Sequence, residues 1–218
     1  MAESLDAASE AAPELESHFG DLEQQTHAAQ FGMWVFLATE VLFFGVLFTL
    51  YIAYRMTEGA AFRAGIQRTD LVLGTANTYI LLTASLFVAC AVGAIRESRS
   101  RLASHLLFGA AACGVLFVFL KLLEYLHHIE DGLLAGPYYA SSLPTAGTRV
   151  FWSLYYLMTG LHLVHVSAGV VLLLWIWHRT RRGDFSARYH TPLELGGMYW
   201  HFVDIVWLFL WPMFYLMH

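Results

Sequence analysis

From Gln30 to Tyr54 the chain reads QFGMWVFLATEVLFFGVLFTLYIAY, an apolar run interrupted by one charge, the carboxylate of Glu40. A helix of this length rises about 37 Å, enough to cross a hydrocarbon core of about 30 Å. Four further apolar runs follow, over about residues 71–95, 102–125, 149–177 and 192–217. Each exceeds the roughly 18 residues that mark a membrane-crossing helix. The pattern predicts an all-α polytopic membrane protein, a bundle of five transmembrane helices within residues 26–218. Local signals mark its punctuation. Asp70 is an N-cap for the second span. Thr191-Pro192-Leu193-Glu194 combines a capping box with proline at N1, a start signal for the fifth. Pro212 cannot donate to the Leu208 carbonyl and predicts a kink in the last turn and a half.

Composition supports the membrane reading: 58% of residues are hydrophobic, 13% are charged and the mean hydropathy is +0.54. A soluble domain carries about 25% charged residues. Residues 1–25 hold seven of the seventeen acids and no Lys or Arg. They lack the basic and apolar regions of a signal peptide and read as an acidic, disordered cytoplasmic tail. Cys90 and Cys113 lie in different spans without CxxC or CxxCH spacing, and read as small buried apolar residues. Seven Lys or Arg fall on the side of the tail; Arg55, Arg63, Arg68, Lys121 and Arg149 fall on the other. The positive-inside rule then places the N-terminus in the cytoplasm and the C-terminus outside.

Ionisable groups inside the spans are the candidate chemistry, because they are expensive there and face protein rather than lipid. Glu40 falls near the bilayer midplane, as a polar tie to a neighbouring helix or as a proton-relay or lipid-linked site. Asn77, with Thr75, Thr78, Thr83 and Ser85, suits close helix packing and interhelical hydrogen bonds. Lys121 and Glu124 share a face near the end of the third span, where they pair or snorkel. His127-His128 beside Glu130-Asp131 reads as a solvated interfacial cluster rather than a metal site. His162 and His165 share a face of the fourth span with Thr159 and Gly169. They read as hydrogen-bonded interface histidines, since two residues of one helix do not complete a haem or copper site. In the fifth span Trp200, Asp204, Trp207 and Trp211 make one polar-aromatic face, and His201 can pair with Asp204. No metal ligand set is expected.

The segments GMWVFLATEVLFFG (32–45), ANTYILLTAS (76–85), EY (124–125), TGLHLVHVSAG (159–169) and YWHFVDIVWLFL (199–210) resemble subunit III of haem-copper oxidases. They occur in the family's order and cover all five predicted spans, with the last motif the most specific. The resemblance implies a subunit without a redox centre, lying against subunit I, with subunit II in the same complex. Those partners hold haem and copper, reduce dioxygen with electrons from cytochrome c or another respiratory complex, and pump protons in the bacterial cytoplasmic membrane. It also implies support of proton uptake, protection of the catalytic subunit from inactivation, and bound phospholipid. Glu40 matches the family's buried glutamate with a suggested proton-related role; His165 and Arg179 match positions near an anionic phospholipid. Nucleic acid is no partner. Two departures stand out: the fuller family form has two additional N-terminal spans, and Trp211-Pro212 departs from the family pattern. The alternatives are the matching subunit of a quinol oxidase or of nitric oxide reductase. From other classes come an independent proton channel using Glu40, His162 and Asp204, and a b-type cytochrome. Glu40 in place of Asp and the complete YWHFVD favour the cytochrome c branch.

Overall fold

The computed structural model describes residues 20–134, 145–186 and 189–217. Within them the chain is all-helical: α1 (Leu22–Thr57), α2 (Gly59–Ile66), α3 (Leu71–Arg96), α4 (Ser100–Glu130), α5 (Ala146–Arg182) and α6 (Thr191–Trp211), ending in a π-helical turn at Pro212–Leu216. Four of these helices, α1, α3, α4 and α5, are long and apolar enough to cross a membrane. The expected fifth, α6, has the length but not the hydropathy. Its sequence TPLELGGMYWHFVDIVWLFLW spends positions on Gly, His, Asp, Tyr and Trp that pack inward.

The helices also run past the apolar runs that announced them. α1 begins at Leu22, inside the stretch read as tail, with the Asp21 carboxylate accepting the Gln24 N–H at 2.7 Å. α5 continues through Arg179, Arg181 and Arg182. Gly183 (φ +83°) then turns the chain left-handed, and the Asp184 N–H closes back on the Arg179 carbonyl at 3.2 Å. The link between the first two spans is not irregular: α2 occupies most of it and buries Phe62, Gly65 and Ile66. Asp70 caps α3 as expected, its carboxylate accepting from Val72 and Leu73 at 2.8 and 3.0 Å. The capping box at Thr191 does not form. Thr191 is already helical, and the Glu194 carboxylate instead bridges Arg96 (2.5 Å) and His190 (3.0 Å). The turn residues Gly136, Pro137 and Pro144, and the tail up to residue 19, lie outside the described residues.

α3, α4, α5 and α6 form a four-helix arrangement in which α3 and α5 each lie against both α4 and α6. α3 and α4 approach through small residues, burying Ala84, Ala91 and Ala94 on one and Ala103, Ala110 and Ala111 on the other. α1 packs outside, against the α5–α6 seam, and leaves Phe31, Trp34, Val41, Leu42 and Val46 exposed. An apolar face of that kind suits lipid or another subunit.

Pro212 produces more than a kink. The helix widens into a π turn in which Met217 donates to the Pro212 carbonyl at 3.1 Å. Side chains from the first half of the chain satisfy the carbonyls this leaves. The Tyr51 hydroxyl donates to Met213, Thr69 to Phe214 (2.9 Å) and the Arg55 guanidinium to Met217 (2.8 Å). The turn thereby fixes Tyr215 facing inward, where it is buried.

Candidate functional site

Two polar centres are built inside the bundle. The first joins α1 to α5. Glu40 Oε2 lies 3.2 Å from His165 Nε2, and both side chains are about one-fifth exposed (18% and 19%). His165 Nδ1 lies 2.8 Å from the Leu161 carbonyl, which can only accept, so Nδ1 carries the proton it donates. Nε2 then either accepts from a carboxylic acid or, protonated, donates to a carboxylate. Phe44 packs edge-on against the His165 ring at 5.4 Å, and the Tyr199 hydroxyl of α6 donates to the His165 carbonyl at 3.0 Å.

The second centre ties α4 to α5 and the π turn, and it is sealed. Lys121 Nζ donates to Glu124 Oε2 (3.1 Å), the Tyr155 hydroxyl (2.9 Å) and the Tyr215 hydroxyl (2.6 Å). Both tyrosine hydroxyls donate to Glu124 Oε1, at 2.7 and 2.6 Å. All three ammonium hydrogens are used, each hydroxyl accepts once and donates once, and the charges cancel. Lys121 is wholly inaccessible and Glu124 is 1% exposed, so of the two arrangements expected of them they pair and do not snorkel. The rings of Tyr155 and Trp207 add cation–π contact to the ammonium at 4.7 and 5.4 Å. Tyr155 and Tyr215 were not foreseen from the sequence; their contribution depends on tertiary packing and on the π turn.

Of the remaining candidates, His201 and Asp204 are joined through a third residue: His201 Nδ1 lies 3.0 Å from the Ser85 hydroxyl, and the same serine hydrogen-bonds the buried Asp204 one helical turn further on. His162 is buried at the α4–α5–α6 interface but, contrary to the expectation, makes no hydrogen bond among the described residues. It stacks on Trp207 at 5.2 Å and meets the edge of Phe117 at 5.8 Å. Asn77 is likewise buried without a hydrogen-bond partner among the described residues. Trp207 turns its indole N–H to Thr78, at 3.0 Å. Arg179 lies fourteen residues beyond His165 on α5, about 21 Å along the axis, so the two do not share a contact. Its guanidinium binds Asp184 at 2.8 Å and lies over the Trp175 and Phe185 rings. Of the expected solvated cluster, His127 is exposed, while His128 is buried against Trp152 at 5.0 Å.

The fold and these centres define a helical membrane protein with ionisable side chains engaged by one another inside the bundle. Among the described residues no three His, Cys, Asp or Glu come together as a metal site would need. The family model for cytochrome c oxidase subunit III matches residues 16–218, and the chain belongs to that family. It is similar to cytochrome c oxidase subunit 3 of Synechocystis sp., at 33% identity over 86% of this chain and 75% of the relative. It is similar to that of Thermostichus vulcanus, at 33% over 85% and 86%. A probable quinol oxidase subunit 3 from Staphylococcus aureus is 26% identical over 89% of this chain and 93% of its own length. The chain is thus an oxidase subunit III.

Proposed function

We propose that the chain is the non-redox subunit III of a cytochrome c oxidase in a bacterial cytoplasmic membrane. It packs beside subunit I, with subunit II in the same complex, and haem and copper reside in those partners. The observation that carries this is the subunit III match over nearly the whole chain, at 33% identity to two cytochrome c oxidase subunits. α6 and its π turn form the fifth span. Together they cover residues 191–216, about 39 Å of helix, and their polar positions face α1, α3 and α5 rather than lipid. Lys121 is buried within the bundle, so it leaves the loop-charge comparison, which becomes seven against four. That supports a cytoplasmic N-terminus and an external C-terminus.

Purification through a tag on this chain in mild detergent, followed by a reduced-minus-oxidised spectrum, tests the assignment. The expected result is a-type haem bands with copper and a large many-span partner, and turnover with reduced cytochrome c. Turnover with quinol alone would move the chain to the quinol oxidase branch. A colourless protein that purifies by itself would sink the subunit reading and favour the proton channel.

Within this function Glu40 and His165 act as a proton-exchanging pair at the α1–α5 seam. Glu40→Gln retains a side chain able to donate to His165 Nε2 but cannot exchange the proton. The variant oxidase is expected to assemble normally, with proton uptake or turnover lifetime changed modestly, well short of the roughly hundredfold or more expected of a group in the proton-transfer step itself. An oxidase unchanged in both leaves the pair a packing role.

A further inference from the structure

A cavity of about 550 Å³ opens between the first two turns of α4 and the last two turns of α5, away from both polar centres. Arg101 and Ser104 line it from α4, and Arg181 and Arg182 from α5. Other arginines near this end of the bundle are occupied: Arg96 by Glu194 (2.5 Å), Arg99 by Glu97 (3.3 Å) and Arg179 by Asp184 (2.8 Å). Among the described residues, Arg101, Arg181 and Arg182 have no carboxylate within ion-pair distance. Three unpaired guanidinium groups around one cavity make a site for an anion. α4 reinforces it, because its N-cap, Arg99, makes no side-chain hydrogen bond to the first-turn N–H groups.

The cavity is also amphipathic along its depth. One turn further into the bundle than Ser104, Phe108 meets Trp177 with ring centroids 5.4 Å apart, and both rings line the same cavity. Arg181 lies over the Trp177 ring at 5.1 Å, so one cation is already oriented at the boundary between charged rim and aromatic shelf. Inorganic phosphate or a soluble phosphate ester would use the rim alone. A phosphodiester carrying acyl chains would use both.

We propose that this α4–α5 groove binds an anionic phospholipid, its phosphate among Arg101, Arg181 and Arg182 and its first acyl carbons over Phe108 and Trp177. The proposal rests on the membrane-spanning reading above and on a different set of residues from His165 and Arg179. Each of those two side chains already has a carboxylate partner, Glu40 for His165 and Asp184 for Arg179, whereas the three arginines of the groove have none among the described residues.

The test uses the oxidase complex purified with this chain, stripped of loosely held lipid and titrated with phosphatidylglycerol, phosphatidylcholine or inorganic phosphate. Native mass spectrometry counts the lipids that leave on this subunit. The expected result is one phosphatidylglycerol above the phosphatidylcholine background. Affinity should fall about a hundredfold when Arg101, Arg181 and Arg182 are all changed to Gln, on the order of fivefold per arginine. The single variants Arg181→Gln and Arg182→Gln, with Arg→Lys counterparts expected to recover most of the affinity, serve if the triple variant does not assemble. Equal retention of the two lipids would overturn the proposal, as would loss of binding on Arg179→Gln alone. So would displacement of the lipid by inorganic phosphate at equal phosphate concentration. Binding that appears only after residues 1–19 are removed would assign the groove to the acidic tail instead. Failure of the complex to form at all would count against the subunit assignment, which the spectrum above reads separately.

Discussion

Lys121→Met is expected to destabilise the folded subunit by about 3–5 kcal/mol. Methionine fills much of the same volume, so little of the loss comes from a cavity. It comes from Glu124, left as a carboxylate in a site with 1% exposure, its remaining donors among the described residues being the hydroxyls of Tyr155 and Tyr215. Glu124→Leu is expected to do comparable damage by stranding the ammonium. The double variant Lys121→Met/Glu124→Leu should recover most of the loss, because removing both charges removes both desolvation penalties. The two hydroxyls that remain are 3.5 Å apart and can bond to each other. Thermal unfolding in detergent, followed by near-ultraviolet circular dichroism, reads all three variants. Lys121→Met costing less than about 1 kcal/mol, the range of a solvated pair, would mean that water reaches the cluster.

Much of this centre could be read from the phase of α4. Ala103, Leu107, Ala110, Gly114, Phe117, Lys121, Glu124 and His128 recur at steps of three and four, and all are buried. Lys121, Glu124 and His128 therefore continue the apolar stripe, and that phase is a stronger signal than their nearness to the helix end. Their partners were not readable: Tyr155 arrives from another helix, and Tyr215 only because Pro212 changes the helical repeat. The ends of α1 and α5 escaped for a different reason. Apolar runs report where hydrocarbon ends, whereas the backbone continues as helix into the polar region until a cap stops it. α2 carried its own signal, Phe62 and Ile66 four apart around Gly65, but Arg63 and Arg68 obscured it in what reads as a polar link. Glu40 was legible as a tie to another helix; that His165 would be its partner was not, because helix pairing is a tertiary fact.

Gly74→Ala tests whether the π turn holds Tyr215 as rigidly as its hydrogen bonds imply. A Cβ at position 74 would lie 2.7 Å from Tyr215 Cδ1 and 2.8 Å from Cε1, well inside contact distance. The ring has no easy retreat. Its hydroxyl is held by Lys121 and Glu124, and the turn behind it is held through the Met213 and Phe214 carbonyls. Overpacking of this kind costs about 1–3 kcal/mol, against the gain of up to about 1 kcal/mol that alanine normally brings to a helix. At Gly93, on the same helix, a methyl group would meet nothing within 4 Å among the described residues, so Gly93→Ala should be neutral or stabilising. The two variants are thus expected to differ by at least about 1 kcal/mol in the same unfolding assay. In a Tyr215→Phe background the ring loses its anchor and can shift, so Gly74→Ala should be less damaging there by about 1 kcal/mol, a coupling typical of residues in contact. Equal effects in the two backgrounds would mean that α3 moves away from the turn, and that the hydroxyl network does not fix the ring.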